Sequence, residues 1–564
     1  MKSIPSYRSF LLRWGLFLLS VLFLSMPFLN QHCGFMALFA WVPFLILERF
    51  WYEEGKKHRG WLCFLFFGCW NLLTIMWLRY ATWVGALGAL VGNTAQMGFI
   101  FVLFRMFRYQ LDKQRGERSF KLLPYIFLVS MWIGWEYFYT DSELSFPWLM
   151  LGNSFANTVR WVQWYEWTGT LGGTLWIWLV NIALFRVLCL FRLVPLFRDD
   201  APAPRLAYAW LIGLLVGTMV PIAFSQVRYA HYQEEVNPRE FIVLQPNIEP
   251  HVGKFKGYSR ERQDQILLNL AESVVTDSTC FAIAPETFTW TIDEEHVTKF
   301  STVKRFAEFL DDHPTVNFVF GAISVRYYPW DTYPGSSRTS RPTLTARPAE
   351  GYWYDSFNAS LILDAEGNHD IFHKSKLVPF AEFLPFPKTI SRFGQLAINL
   401  GGTVNSYGKQ PEISIFTASD STRIGTAICY ESVYGDYCRG YVLQGAQVMS
   451  IITNDGWWRD TPGYRQHLSY ARLRAIELRR SIARSANTGI SALINQRGDI
   501  VAQTQWWEES ALRGSLNLND ELTFYVRHGD IIARVAQFLS VLLLLYWLSF
   551  AWSARVSREQ RSNK

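Results

Sequence analysis

The sequence predicts a multi-span α-helical membrane domain with eight transmembrane helices, joined to one α/β domain. Three observations lead to this fold class. Half of the 564 residues are hydrophobic and only 18% are charged, which is too apolar for an ordinary soluble protein. Eight apolar segments approach the ~20 residues that a helix needs to cross a bilayer. Between the seventh and eighth segments, strand-like apolar runs alternate with amphipathic helical patterns, which is typical of an α/β domain.

The eight spans are predicted from hydropathy, and the loop charges predict their orientation. The spans cover residues 9–28, 34–50, 61–80, 82–104, 122–139, 169–190, 206–225 and 531–552. Lysine and arginine concentrate at both ends of the chain and in alternate loops, so the positive-inside rule places both termini in the cytoplasm. The chain then divides into a membrane domain at 1–225, an extracytoplasmic domain at 226–528, and a last span with a basic cytoplasmic tail at 529–564.

The sequence pattern of residues 226–528 predicts strands and helices in alternation. Predicted strands cover 241–247, 280–286, 318–322, 357–363, 371–372, 424–428, 448–453 and two pieces within 482–494. Predicted helices cover 258–275, 301–312 and 466–480. Residues 328–352 are rich in Pro, Ser, Thr and Arg, which favours a solvent loop or an insertion.

The cysteines predict neither a disulfide framework nor a zinc site. There are seven of them, four lie in or beside apolar segments, and no CxxC pair occurs. A bridge between Cys429 and Cys438 is not expected, because it would consume a candidate nucleophile. No cofactor or metal is expected.

Three polar residues follow predicted strands and form a candidate catalytic set: Glu286, Lys374 and Cys429. A carboxylate can take the proton of a thiol, and an ammonium can lower the thiol pKa and stabilise the oxyanion formed when sulfur attacks a carbonyl. Each residue alone has a plainer interpretation. Glu286 could cap a helix, Lys374 could be a solvated charge with Lys376 as its rival, and Cys429 could be a small buried apolar residue.

The surroundings of these residues resemble the nitrilase superfamily and its Glu–Lys–Cys triad. They are most similar to a membrane-bound family within it, the apolipoprotein N-acyltransferases. The matching stretches are APET at 284–287, FNAS at 357–360, HKSKLVPFAEFLP at 373–385, ICYES at 428–432 and TNDGWW at 453–458. The resemblance covers nearly the whole chain and implies an αββα sandwich for the α/β domain.

By that resemblance, Glu286 is the general base, Lys374 stabilises the oxyanion and Cys429 is the nucleophile. The resemblance also implies four supporting residues, Asn358, Glu382, Tyr430 and Glu431. Two positions depart from the family pattern. The nearest aromatic residue after the first strand is Phe255 where a tryptophan is usual, and the Lys374 segment continues PFAEF where PFGEF or PFGEY is usual.

The implied reaction is acyl transfer in the bacterial inner membrane, with the catalytic domain on the periplasmic side. A phospholipid would acylate Cys429, and the α-amine of an S-diacylglyceryl-cysteine lipoprotein would accept the acyl chain from the thioester. Aromatic residues of 380–386 with Trp457 and Trp458 would exclude water. No nucleic acid is involved. Two rivals are a membrane-tethered amidase acting on small amides, and a transporter or receptor whose external domain only binds.

Overall fold

The computed structural model describes residues 6–53, 60–115, 122–194, 204–249, 257–332, 341–342, 351–386 and 406–562. Phe255 and residues 387–405, which follow the segment that begins at Lys374, lie outside these ranges. The described helices are α1 Ser6–Leu29, α2 Val42–Glu53, α3 Trp61–Ile75, α4 Trp83–Arg115, α5 Leu122–Tyr139, α6 Tyr165–Leu190, α7 Pro204–His231, α8 Arg260–Glu272, α9 Ser301–Asp312, α10 Gly435–Leu443, α11 Pro462–Leu478, α12 Phe524–His528 and α13 Ile531–Ser562.

The strands all lie between α7 and α12. They are β1 Pro238–Gln245, β2 Thr279–Ile283, β3 Thr289–Asp293, β4 Asn317–Pro329, β5 Arg341–Pro342, β6 Tyr352–Leu363, β7 His369–His373, β8 Phe416–Thr417, β9 Arg423–Ile428, β10 Val448–Thr453, β11 Ile482–Ala486, β12 Ala492–Ile494, β13 Ile500–Gln503 and β14 Ser510–Asn517.

Seven helical segments of the described chain are long and apolar enough to cross a membrane. They coincide with seven of the eight predicted spans. The other predicted span, α5, is helical over the expected residues, but it carries Glu136 and several Trp and Tyr and is not among the seven. The predicted fold class is therefore confirmed, and the count of eight spans stays a prediction.

The interior of the membrane domain is packed with aromatic rings. Trp41, Trp70, Trp132 and Trp178 are fully buried, and Trp41 stacks on Trp178 at 4.5 Å between ring centroids. Such rings bury a large apolar area per residue. Other faces of these helices expose leucine, valine and phenylalanine, as helices in contact with lipid do.

The soluble domain is a sandwich of two sheets with helices on the outer faces. One sheet has eight strands in the order β14-β1-β2-β4-β6-β5, with β3 beside β4 and β7 beside β6. The other has six strands in the order β13-β12-β11-β10-β9-β8. Side chains alternate along β1: Phe241 and Val243 join the core between the sheets, whereas Ile242 and Leu244 pack towards α8 and α9.

Strand direction brings the ends of several strands to one edge of the sandwich. β1, β2 and β4 are parallel, and two antiparallel pairings, β4 with β6 and β6 with β7, give β7 the same direction. In the second sheet β9, β10 and β11 are also parallel. The residues that follow β2, β7 and β9 are therefore neighbours at this edge.

Some elements depart from the sequence prediction. The predicted loop at 328–352 is partly strand, because β4 runs to Pro329 and pairs with β6 as far as Tyr352. The pattern missed β3, β8, β13, β14, α10 and α12, which are short or lack a clear apolar period.

Candidate active site

Glu286 lies three residues beyond the end of β2, after Pro285, and only 6% of it is exposed. Its backbone packs directly against Gly321 of β4. A Cβ at position 321 would lie 2.6 Å from the Cα of Glu286 and 2.5 Å from the main-chain N of Thr287. Glycine at 321 therefore lets the carboxylate reach the edge of the sheet, because any side chain there would push this turn outwards.

Lys374 directly follows β7 and is 1% exposed. Its Nζ lies 3.1 Å from Oε1 of Glu286 and 2.9 Å from Oε1 of Glu382. Burial alone would lower the pKa of Lys374, but Glu286 and Glu382 outweigh it and raise that pKa well above its usual value. Lys374 is therefore a permanently charged ammonium between two carboxylates, and its rival Lys376 instead pairs with Asp141 at 2.8 Å.

Asn358 and Glu382 complete the polar cluster. The Nδ2 of Asn358 donates to Oε1 of Glu286 and to Oε1 of Glu382, both at 2.8 Å. The second oxygen of Glu382 accepts from the main-chain N of Val378 at 2.7 Å. Glu382 thus holds both Lys374 and the segment that follows it.

Cys429 directly follows β9 and opens a tight turn at Cys429–Val433, which we call the nucleophile turn. Its φ is +51°, in the left-handed region that residues with a side chain rarely adopt. The thiol is buried, but it lines a cavity together with Glu286 and Lys374. The three predicted catalytic residues therefore meet in one pocket.

The electrostatic balance at the thiol differs from the sequence prediction. Lys374 does lower the pKa of Cys429, but burial and the nearby Glu286 raise it more, so the net direction is well above the usual value. The resting residue is a protonated thiol. A nucleophilic role for this thiol would require a base to take its proton, and the carboxylate of Glu286 lines the same cavity.

Glu431 and Tyr430 tie the nucleophile turn to its surroundings. One oxygen of Glu431 accepts from the main-chain N of Ser375 at 2.6 Å, and the other accepts from the N of Ile428 at 2.9 Å. Burial raises the pKa of Glu431 to about 6. The hydroxyl of Tyr430 donates to the O of Ser145, in the loop between α5 and α6, at 2.8 Å. Glu431 thus joins the lysine segment to the thiol segment.

A second buried network lies behind the nucleophile turn, and sequence reasoning missed it. His467 faces Asp455 at 2.9 Å, and Asp455 pairs with Arg484 at 2.6 Å. Burial would raise the pKa of Asp455, but Arg484 and His467 hold it well below its usual value. One signal was available: Arg484 is a charge in the middle of an apolar strand, which requires a buried carboxylate partner.

The cavity that holds Cys429 has a volume of about 460 Å³ and is lined by both domains. One wall carries the polar cluster with Phe380, Trp457 and Trp458. The opposite wall is the end of the membrane domain next to the sandwich, including Trp77, Gly85 and Gly88. The predicted aromatic lining is therefore present at Phe380, Trp457 and Trp458, whereas Phe383 and Phe386 do not line this cavity. Within the described chain, no cluster of three or more His, Cys, Asp or Glu residues could hold a metal ion.

Comparison with known proteins agrees with this geometry. Residues 243–521 match the carbon-nitrogen hydrolase family, and residues 20–183 match the N-terminal domain of apolipoprotein N-acyltransferase. The chain belongs to the apolipoprotein N-acyltransferase family. A relative of that name from Chlorobaculum tepidum is 29% identical over 541 residues, which cover 94% of this chain and 95% of the relative. Another from Thermotoga maritima is 25% identical and covers 91% of this chain and 93% of the relative.

Family membership accounts for both halves of the molecule at once. The hydrolase match covers the sandwich, and the second match covers most of the membrane domain. A membrane-tethered amidase would explain the first match alone, and it is the less supported alternative. All seven cysteines are free thiols, Cys438 included, so no bridge engages Cys429.

Proposed function

We propose that this protein transfers an acyl chain from a membrane phospholipid to the N-terminal amine of an S-diacylglyceryl-cysteine lipoprotein, through a thioester on Cys429. The observation that carries the proposal is the shared cavity. Glu286, Lys374 and Cys429 line it together with the N-terminal end of α4. A cavity walled on one side by a membrane helix can admit a lipid chain from the bilayer. A small soluble amide requires no such wall.

In the first half-reaction Glu286 takes the proton of Cys429 as sulfur attacks the ester carbonyl of the phospholipid. The tetrahedral intermediate carries a negative oxygen, which Lys374 stabilises. Collapse breaks the carbon–oxygen bond, and Glu286 returns the proton to the departing lysophospholipid. Glu382 and Asn358 hold Lys374 and Glu286 in place during the exchange.

In the second half-reaction the lipoprotein amine attacks the thioester carbonyl, and Glu286 accepts a proton from the amine nitrogen. Collapse breaks the carbon–sulfur bond, releases the amide and returns the proton to Cys429. The two substrates use the same site in turn, so the kinetic scheme is ping-pong.

The test is to incubate the full-length protein in detergent micelles with acyl-labelled phospholipid and to look for a labelled protein that hydroxylamine releases. We expect the adduct in wild type and in Cys438→Ala, whose buried thiol lies outside the cavity. It should be absent in Cys429→Ala. An adduct that persists in Cys429→Ala, or one that forms only from amide donors, would overturn the proposal.

The thioester must also be kept from water. Trp457 and Trp458 line the cavity, and Trp458 packs against Trp77 at 5.0 Å and Trp148 at 5.5 Å between centroids. We expect the double change Trp457→Ala and Trp458→Ala to shorten the lifetime of the acylated enzyme in the absence of an acceptor, because water then enters the pocket. The measurement is the decay of label after excess phospholipid is removed.

The matched control for that change is Trp552→Ala, since Trp552 is 73% exposed on α13. It should leave the decay rate unchanged. An unaltered lifetime in the double variant would mean that these two rings do not protect the thioester.

A further inference from the structure

The core beneath Cys429 holds a charged network that the acyl-transfer scheme leaves unused. His467 on α11, Asp455 after β10 and Arg484 on β11 are fully buried. The Nδ1 of His467 lies 2.9 Å from Oδ1 of Asp455, and Oδ2 of Asp455 pairs with Arg484 at 2.6 Å. Three separate elements thus contribute to one cluster on the core side of the nucleophile turn.

The other ring nitrogen of His467 faces Cys429 itself. Its Nε2 lies 3.0 Å from the main-chain O of Cys429 and 2.9 Å from Oγ of Ser432. Ser432 donates to the same carbonyl at 2.7 Å. A carbonyl oxygen can only accept, so a contact of 3.0 Å calls for a proton on Nε2. A lone pair there would set two acceptors against each other at a buried site.

The ring is held in this orientation from its other sides. The Oδ1 of Asp455 is itself fixed by Thr453, whose Oγ1 donates to it at 2.8 Å. The rings of Trp148 and Trp458 pack at 5.8 and 5.5 Å from the imidazole. Asp455 and Arg484 are the charged groups that contact the ring, so its orientation is set by one ion pair and two indoles.

The carbonyl that His467 contacts belongs to the strained residue. Cys429 has a φ of +51°, and such a conformation persists only where the surroundings hold it. We propose that His467 is a positioning residue for the nucleophile: its Nε2–H donates to the O of Cys429 and keeps this backbone left-handed, so that Sγ projects into the cavity. The inference rests on the proposed role of Cys429 as the nucleophile.

The test compares two substitutions at position 467 in the full-length protein. His467→Leu removes the donor, whereas His467→Gln places an amide N–H near the position of Nε2. We expect His467→Leu to lower the rate of thioester formation about 10²-fold, the cost of a ~1 Å misplacement of a reacting group, with KM for phospholipid unchanged. The Gln variant should recover most of the rate.

A control and a direct spectroscopic measurement keep the test decisive if the Leu variant folds poorly. His313→Gln changes a histidine that pairs with Glu272 and does not line the cavity. It should leave the rate of thioester formation at the wild-type value. In a ¹H–¹⁵N spectrum of histidine-labelled protein, the signal of His467, assigned by its loss in His467→Gln, should show a protonated Nε2.

The outcomes separate this inference from the proposed function. Equal rates in the Leu variant and wild type, equal losses in the Leu and Gln variants, or a non-protonated Nε2 would each overturn the role of His467. If Cys429→Ala still formed the labelled adduct, the proposed function itself would fail. Loss of the adduct in Cys429→Ala with full activity in His467→Leu would refute the positioning role alone.

Discussion

At the scale of single residues, the charges around Cys429 act on its thiol in opposite directions. Burial and Glu286 raise the pKa of Cys429, whereas Lys374 lowers it. Lys374→Met removes the cation, so the thiol pKa should rise further. Glu286→Gln removes the anion, so the thiol pKa should fall. We expect the pH at which iodoacetamide alkylates Cys429 to move up in the first variant and down in the second.

Acyl transfer should nevertheless fall in both variants, by about 10²–10⁴-fold, because the proposed mechanism makes Lys374 the oxyanion partner and Glu286 the general base. The control is Lys376→Met, since Lys376 pairs with Asp141 instead of the polar cluster. In Lys376→Met, the thiol of Cys429 should titrate as in wild type. If the pKa of the Cys429 thiol moved in the same direction in Lys374→Met and Glu286→Gln, the two charges would not have opposite effects on it.

Residues at strand ends were predictable, whereas Arg484 was the one sequence signal of the network behind them. Glu286, Lys374 and Cys429 each follow an apolar strand, where a polar residue is conspicuous in the sequence. His467 lies within a helical pattern and Asp455 in a turn, and neither position signals burial. The pairing of Asp455 with Arg484 joins a turn to a strand 29 residues later, which only the fold reveals.

At the scale of elements, the apolar period located most helices and strands within a few residues. Long membrane helices and the central strands are buried on both sides or embedded in lipid, so their sequences are continuously apolar. The edge strands β13 and β14 alternate between exposed and half-buried positions over much of their length. Their polar residues hide the pattern, and their place depends on pairing with β12 and β1.

The N-terminal end of α4 forms a wall of the cavity that holds Cys429, and it does so through small residues. A Cβ at Gly88 would lie 2.7 Å from the ring of Phe380, so a larger side chain there would intrude into the cavity. We expect Gly88→Val to reduce acylation by long-chain phospholipids about 10- to 200-fold and by short-chain analogues less, as a shortened pocket does. The measurement is the acylation rate across donors of increasing chain length.

The matched control on the same helix is Gly92→Val. The nearest atom to a Cβ at Gly92 is Nε2 of Gln96, at 3.8 Å, and Gly92 does not line the cavity. Its chain-length profile should follow wild type. A parallel loss for all chain lengths in Gly88→Val would point to disturbed packing against Phe380 and not to a chain-length limit.

At the scale of the whole molecule, the catalytic domain is fastened to the membrane domain around the site. The Nε1 of Trp148 donates to Gln466 at 2.6 Å, and Arg479 pairs with Glu166 at 2.7 Å. Both contacts are buried and join the α5–α6 region to α11 or its end. The cavity therefore keeps a fixed position relative to the membrane helices that line it, which suits the lipid substrate of the proposed function.

The side of the membrane that this cavity faces depends on whether α5 crosses. The carboxylate of Glu136 on this helix accepts three hydrogen bonds. The donors are Trp132 at 3.0 Å, the main-chain N of Leu151 at 2.9 Å and Thr174 at 2.6 Å. A carboxylate with three buried donors is far less costly within a membrane protein than an unpaired one. We therefore expect α5 to span, which makes seven crossings before the catalytic domain and places that domain outside the cytoplasm.

The orientation can be measured with one introduced cysteine at a time and a membrane-impermeant thiol reagent on spheroplasts. The partly exposed native cysteines are first replaced by alanine: Cys33, Cys69 and Cys280. Asp312→Cys, exposed at the end of α9, should react in intact spheroplasts, and Lys113→Cys, exposed on α4, should react only after permeabilisation. The opposite pattern would invert the topology. Reaction of both cysteines in intact spheroplasts would place them on the same side of the membrane. That result would contradict the model of eight crossings, because the three spans α5, α6 and α7 then separate position 113 from position 312.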